Sequence, residues 1–300
     1  MQIIKAMGFD VIQINYYADR HPYQREVLDA FFDLALQYDM KISILYEPKI
    51  HNNLPTIDQR ITAWGNDLVN FVNRYKDHKA LLQYNGRPLI GSFDYNNVTD
   101  AEWGIIIERV KNETGYTITI SSQTINLRSC RTTEGISTDN IESAFIWSLW
   151  YESLRNWNET VARNFTESLQ TLVIRWNERN HFSKLPMGMI FPGFDDTPVR
   201  AWASTPPGII RKVAGTGPQF YNVSWDSFMR HKDHLDWINV ATFNDWTEGT
   251  ILEPTRELGH ELAFITAQRM AAWKGGTAAT REQLEAITAQ YLNTRTVHYD

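Results

Sequence analysis

Trp237-Ile238-Asn239-Val240-Ala241-Thr242-Phe243-Asn244-Asp245-Trp246-Thr247-Glu248-Gly249-Thr250-Ile251-Leu252-Glu253-Pro254 changes character half-way along. Its first part alternates Ile238, Val240 and Thr242 and reads as a short β-strand. From Asn244 onward acids, an amide and tryptophan take over, and Gly249 and Pro254 punctuate the remainder. An apolar strand that ends in a polar cluster is what the rim of a barrel enzyme requires. The strand anchors the backbone, and the loop beyond its carboxyl end presents the chemistry. Asp245 and Glu248 stand three residues apart. A helical turn there would put their Cβ atoms about 5–6 Å apart on one side, a workable spacing for two carboxylates acting on one bond. On spacing alone, acids facing water in a loop are the simpler reading.

Upstream, the same pattern recurs. Met1 to Met7 reads as the last turns of a helix stopped by Gly8. A strand over 10–15 ends in Tyr16-Tyr17, and a helix over 25–38 leads to a strand over 41–45 that ends in Tyr46-Glu47-Pro48. The next helix, 57–75, carries Ile61, Trp64, Leu68, Phe71 and Val72 close to a 3.6 period. Asn85-Gly86-Arg87-Pro88 turns into a strand over 89–93 that ends at Asp94. After a helix at 100–111 come strands at 117–121 and 144–149, a long helix at 158–179, and a strand at 186–190. A helix at 257–274 closes the alternation, and a polar helical piece at 281–291 looks appended.

Strands alternating with helices specify an α/β fold with a parallel sheet. The strands number seven, and the chain opens inside what would be the first helix. The expectation is a (β/α)8 TIM barrel lacking its first β-strand, over residues 1–275, with a C-terminal helical extension over 276–300. A doubly wound open sheet is the alternative, although no Gly-rich phosphate loop follows any strand. Ala214-Gly215-Thr216-Gly217-Pro218 lacks a following Lys-Ser/Thr and reads as a flexible turn.

Composition narrows the function. A net charge of -6 without a long basic run argues against a nucleic-acid partner. Cys130 is the only cysteine, which removes intramolecular disulfides and CxxC-type metal sites, and nothing around it suggests activation as a nucleophile. No apolar run approaches the ~18 residues needed to span a membrane, and the first residues lack the pattern of a signal peptide. The 11 Trp, 13 Tyr and 14 Phe can fill a core, but sugar rings also stack on aromatic faces. His231-Lys232-Asp233-His234 has no third ligand at a recognisable spacing and reads as a solvated helix end rather than a metal site. No cofactor or metal is expected, and the protein is expected to act as a monomer.

The groups that would converge at the carboxyl face of such a barrel are Tyr16, Tyr46, Glu47, Asp94, Trp147, Trp150, Asp195, Asp196 and the Asn244–Glu253 cluster. Acids interleaved with Asn and Trp suit a polyhydroxylated ring. A salt bridge is the competing role for Glu47.

Pro192-Gly193-Phe194-Asp195-Asp196-Thr197-Pro198-Val199-Arg200-Ala201-Trp202, together with Ala241-Thr242-Phe243-Asn244-Asp245-Trp246-Thr247-Glu248-Gly249-Thr250, resembles glycoside hydrolase family 99, the endo-α-mannosidases and endo-α-mannanases. Tyr46-Glu47-Pro48 is similar to a Glu-Pro motif of that family. The resemblance implies retention at an α-linkage through an epoxide-like intermediate, formed when a carboxylate deprotonates the sugar's 2-hydroxyl. Carried over by position, Asp245 is the base, Glu248 the acid, and Glu47 lies near the 2-hydroxyl. Asn244, Trp246, Asp195, Asp196, Arg200, Trp202 and Glu253 would line the subsites. Asp245 stands where the family has Glu, which retracts the carboxylate by about one methylene. The Asn-Asp-aromatic-x-Glu order is closer to family 71, the α-1,3-glucanases, and Glu-Gly-x-x-Leu-Glu-Pro is similar to O-antigen-biosynthesis proteins. The implied function is hydrolysis of internal α-mannoside or α-glucan bonds by a secreted or periplasmic enzyme. A non-catalytic carbohydrate-binding barrel or a polysaccharide-biosynthesis protein is the alternative.

Overall fold

The computed structural model describes residues 1–20, 22–93, 98–123, 139–147, 154, 156–180, 184–199 and 211–294. The chain forms two compact units. One comprises Asp10–Ile146 and Leu172–Met187, and the other Met1–Phe9, Trp147–Thr171 and Gly188–Asp300.

In the first unit, strands β1 (Val11–Tyr16), β2 (Lys41–Tyr46), β4 (Arg87–Ser92), β5 (Thr119–Ser122), β6 (Ile141–Ala144) and the start of β7 (Leu185–Ile190) are all parallel, each beside the one before it. A doubly wound sheet reverses its strand order at a switch point. Here the order never reverses. The helices α2 (Pro22–Gln37), α3 (Ile57–Tyr75), α4 (Asp100–Thr114) and α5 (Glu159–Arg179) separate the strands in sequence, as the apolar periodicity predicts. Thr56 and Gln59 form a reciprocal capping box at the start of α3, and Thr99 and Glu102 do so at α4. Each box satisfies two helix-end donors.

Register explains which residues face where. Ile14, Ile44, Ile90, Ile120 and Ile141 lie level across five strands. Hydroxyls tie neighbouring strands together beside this row: Ser43 Oγ donates to Leu89 O at 2.7 Å, and Ser143 Oγ to Leu185 O at 3.0 Å. Gln13 reaches across to Gly91, where a Cβ would meet its Nε2 at 2.4 Å.

Two elements were not anticipated, and one strand is displaced. Gln83–Tyr84 (β3) pairs antiparallel with the start of β4 through Asn85 (φ 50°) and Gly86 (φ 74°), the positive-φ pair that a two-residue hairpin needs. The displaced strand, β6, spans Ile141–Ala144 rather than 144–149, because the pairing with β5 and β7 is made by the residues before Phe145.

The second unit holds α1 (Gln2–Ala6), the end of β7, α6 (Pro218–His231), β8 (Trp237–Val240), α7 (Glu261–Lys274) and α8 (Arg281–Thr294). The other is the body of helix α6, of which the sequence suggests only the end at His231–His234. Its start is the Gly-rich turn: Gly217 (φ 106°) caps it and Pro218 occupies the first turn. That turn is closely packed. Gly215 (φ 75°) lies so close to Trp157 that a Cβ would sit 2.3 Å from Cε3. Gly215→Ala therefore combines an unfavourable left-handed backbone with overpacking, for an expected loss of about 2–4 kcal/mol. Chemical denaturation should show this as a lower midpoint at unchanged slope.

Rings of Trp225, Phe228 and Trp273 meet edge-on in the core of this unit. The appended piece, α8, is docked: Leu284 is fully buried, Arg281 pairs with Glu261 at 2.7 Å and lies over Phe264. Strand β8 differs from its neighbour in burial. It is half-buried throughout, whereas every residue of its neighbour β7 is buried.

Candidate active site

Beyond β8 the backbone is fixed before any chemistry is presented. Ala241 N donates to Ile190 O at 3.1 Å, and the Ala241–Thr242 peptide is cis. Thr242 N donates to the carbonyl of Thr250 at 2.7 Å, their hydroxyls lie 3.0 Å apart, and Thr242 Oγ1 accepts from Asp245 N at 2.9 Å. These bonds close residues 242–250 into a loop whose ends are held together.

Inside the loop Asp245 organises the turn. Its Oδ1 accepts from Thr247 N (3.0 Å), Thr247 Oγ1 (2.7 Å) and Glu248 N (3.0 Å). This is the local competition with secondary structure that Asp performs well, side-chain oxygen to donors two and three residues on. Its other oxygen, Oδ2, takes part in none of these three. The chain reverses at Gly249 (φ 65°), where a Cβ would meet Asp195 Cβ at 3.3 Å. Asp195 N donates to the carbonyl of Glu248 at 2.8 Å, so the Pro192–Trp202 and Ala241–Thr250 motifs meet.

Asp195 and Asp196 each hold a cation from the segment beside them. Asp196 Oδ2 accepts from Arg211 Nε at 2.5 Å and Oδ1 from Arg211 N at 3.0 Å, while Asp195 Oδ2 pairs with Lys212 Nζ at 2.7 Å. Burial alone would raise the Asp195 carboxyl. The bonds from Lys212 and Thr197 outweigh it and hold that carboxyl below its usual range. The Arg211 guanidinium lies over the Phe194 ring.

Glu248 is the exception among these acids. Burial pushes its carboxyl up, the charge of Asp245 adds to this, and Asp196 contributes in the same sense. Arg211 and a hydrogen bond from Trp147 Nε1 to Oε2, at 3.3 Å, pull the other way without prevailing. The tryptophan beside the acid is thus Trp147. Trp246, the nearer one in sequence, is 51% exposed and donates to Glu253 Oε2 at 3.0 Å. Its open ring can stack on a sugar face.

Asn244 is exposed in the same loop. Tyr16, Tyr46 and Glu47 belong to the other unit and form a group there: the two tyrosine rings are 6.2 Å apart, and Glu47 N donates to Tyr16 O at 3.2 Å. Asp94, Trp150, Arg200 and Trp202 lie outside the described residues. The sequence pattern does not reveal Arg211 and Lys212. Their acid partners lie 15 and 17 residues earlier, and no local period connects them. Nor does it reveal Gln123, which continues the Ser92–Ser122 pairing by donating N–H to Ser92 O at 2.9 Å at the carboxyl end of β5, with a buried amide oxygen that has no partner among the described residues. Among the described residues no group of three or more His, Cys, Asp or Glu could hold a metal ion, and no helix is long and apolar enough to cross a membrane. Lys232, Asp233 and His234 are exposed at the end of α6, as expected of a solvated helix end.

Comparison with solved structures places this arrangement in a known fold. A family 99 endo-α-mannosidase from Bacteroides thetaiotaomicron superposes with a TM-score of 0.67 at 18% identity, over 91% of this chain and 78% of that one. A glycoside hydrolase-like protein gives 0.66 at 10% identity, over 90% and 83%. An endo-β-1,4-glucanase from Xanthomonas axonopodis pv. citri gives 0.55 at 11%, over 89% and 87%. No curated protein matches the chain. The sequence profile described as Glycosyl hydrolase family 99 matches residues 1–259 and spans both motifs and the acid loop. The chain belongs to glycosyl hydrolase family 99, and the protein is a glycoside hydrolase.

Proposed function

We propose that the protein cleaves internal α-glycosidic bonds, α-mannoside or α-glucan, in a polysaccharide or glycan, with Glu248 as general acid and Asp245 as the base. We also infer that its parallel strands belong to a (β/α)8 barrel. The observation that carries the assignment is the contrast between the two acids. Burial and the Asp245 charge favour a protonated Glu248, which is what a leaving oxygen needs from its proton donor. Asp245 instead has one carboxyl oxygen, Oδ1, held by three donors of its own turn. Its Oδ2 would take the proton from the sugar's 2-hydroxyl. Trp246, Asn244, Asp195, Asp196, Arg200, Trp202 and Glu253 would form subsites together with Trp147 and Trp150.

The neighbouring folds include enzymes named for α- and for β-linkages, so the fold alone does not set the linkage. The test is product length. Incubation with α-mannan, α-1,3-glucan and, as a control, β-1,4-glucan should release intermediate oligosaccharides from one of the α-linked polymers only. Release of monosaccharide alone, or cleavage of the β-glucan alone, would overturn the proposal.

A second reading rests on the same turn. The three bonds to Asp245 Oδ1 suit a structural aspartate, as in a carbohydrate-binding barrel without turnover. That reading requires the wild-type chain to bind an α-linked polymer and release nothing.

A further inference from the structure

Three segments meet around Asp195, all within the second unit. Residues 194–196 run antiparallel to 211–213: Val213 N donates to Phe194 O at 2.8 Å, and Asp196 N to Arg211 O at 3.1 Å. On the opposite edge Asp195 N donates to Glu248 O, the contact that joins this pair to the acid loop. Arg211 therefore stands one segment away from the proposed acid. Its charge is felt there, pulling the Glu248 carboxyl down against burial.

Within the Asp196–Arg211 pair the acid is the hidden partner. The Asp196 side chain is 5% exposed, and both its oxygens are taken, Oδ1 by Arg211 N and Oδ2 by Arg211 Nε. A buried carboxylate with both oxygens engaged has little left to offer a sugar. The Arg211 side chain is 49% exposed and lies over the buried Phe194 ring. Only its Nε is used within the side chain's own bonds, and the Nη groups make no hydrogen bond among the described residues. An arginine held by its Nε and by a ring keeps its remaining fork of donors oriented, so less entropy is lost when they bind. The charges set what that fork can take. Arg211 is matched by Asp196 and Lys212 by Asp195, and Asp245 adds a further acid close by. The surface thus offers donors without net positive charge, which suits hydroxyl oxygens better than a carboxylate or phosphate.

We propose that Arg211 is a substrate-binding residue, held in place by Asp196 and Phe194, whose Nη donors take the hydroxyls of an uncharged sugar in a subsite beside Glu248. The inference rests on the proposed function and names the group of the Asp195–Asp196 subsite that meets the sugar. Asp196 acts through Arg211 and is a positioning residue.

The test is kinetic, on whichever α-linked polymer the wild-type chain depolymerises, at a pH below the alkaline limb so that the Glu248 proton is not in play. Arg211→Met keeps an unbranched chain over Phe194 but has no donors. It should raise KM about 10- to 100-fold, the range for lost hydrogen bonds from a charged group, with a smaller effect on kcat. Arg211→Lys keeps the charge and loses the fork, so it should recover little of the loss. Asp196→Asn should raise KM in the same direction, and combining it with Arg211→Met should add almost nothing, since residues acting through one another are non-additive. The wild-type KM should change little with added salt, because the contact is to a neutral sugar. If Arg211→Met melts below the assay temperature, Arg211→Lys carries the prediction. A wild-type KM in Arg211→Met or Arg211→Lys, losses that multiply with Asp196→Asn, or a KM that climbs steeply with salt would overturn the inference. Each of these leaves the proposed function in place, because the wild-type chain still cleaves. A wild-type chain that binds the polymer without cleaving it should show the same ratios in Kd. One that neither cleaves nor binds any α-linked polymer removes the proposed function, and the inference with it.

Discussion

Glu248→Gln should lower kcat by about 10³-fold on the α-linked polymer while substrate binding changes little, if Glu248 is the proposed general acid, the magnitude usual for such a loss. The amide has nearly the same shape and can still accept from Trp147 Nε1, which bonds Oε2 in the wild-type enzyme. What it cannot do is deliver a proton. A leaving group activated enough to depart without protonation should recover much of the lost rate, and this separates loss of acid catalysis from a disturbed site. The variant should also be the more stable protein near neutral pH. Glu248 is raised by burial and by Asp245, so its folded-state pKa exceeds the unfolded one and the native state binds the proton more tightly. Its relative stabilisation is present below the unfolded pKa and is lost as pH rises through the folded one. Gln carries no such penalty. Thermal melts should therefore show Glu248→Gln above wild type at pH 8, with the gap closing toward pH 4. A gap that is constant with pH would show that burial of the charge is not its cause.

Alternation of strands and helices is legible in the sequence because both periods are clean, and the apolar stripe of α3 marks the span that helix occupies, Ile57–Tyr75. Boundaries shift where pairing decides them, as at β6, because a ladder ends when its neighbours end. Helix α6 is hidden behind a glycine-rich stretch whose tightness comes from Trp157, far away in sequence. In the site, the two acid motifs are legible because each is contiguous. The cations opposite Asp195 and Asp196 are not. Each of these pairings joins residues from different elements, and only the folded chain brings them together.

Asp245→Asn separates the two roles that one side chain holds. An Asn oxygen in place of Oδ1 can accept the bonds from Thr247 and Glu248, so the turn and the melting temperature should survive. The negative charge does not. If Oδ2 is the base, kcat should fall by about 10²- to 10⁴-fold. A second effect comes through Glu248. The Asp245 charge is one of the causes that raise the Glu248 carboxyl, so its removal lowers that pKa. A general acid works only while protonated, and the alkaline limb of the residual activity should move to lower pH. Asp245→Ala should show the complementary pattern. It loses the charge and also leaves the turn's donors unsatisfied, for an expected loss of about 1–3 kcal/mol. Asp245→Glu restores the charge but advances it by one methylene, on the order of 1 Å. Because the Oδ1 bonds fix the turn at aspartate's length, the longer acid should regain the pH limb without regaining full rate. Wild-type turnover in Asp245→Asn, with the alkaline limb unmoved, would leave Asp245 as a turn-former alone and require another residue to supply the base.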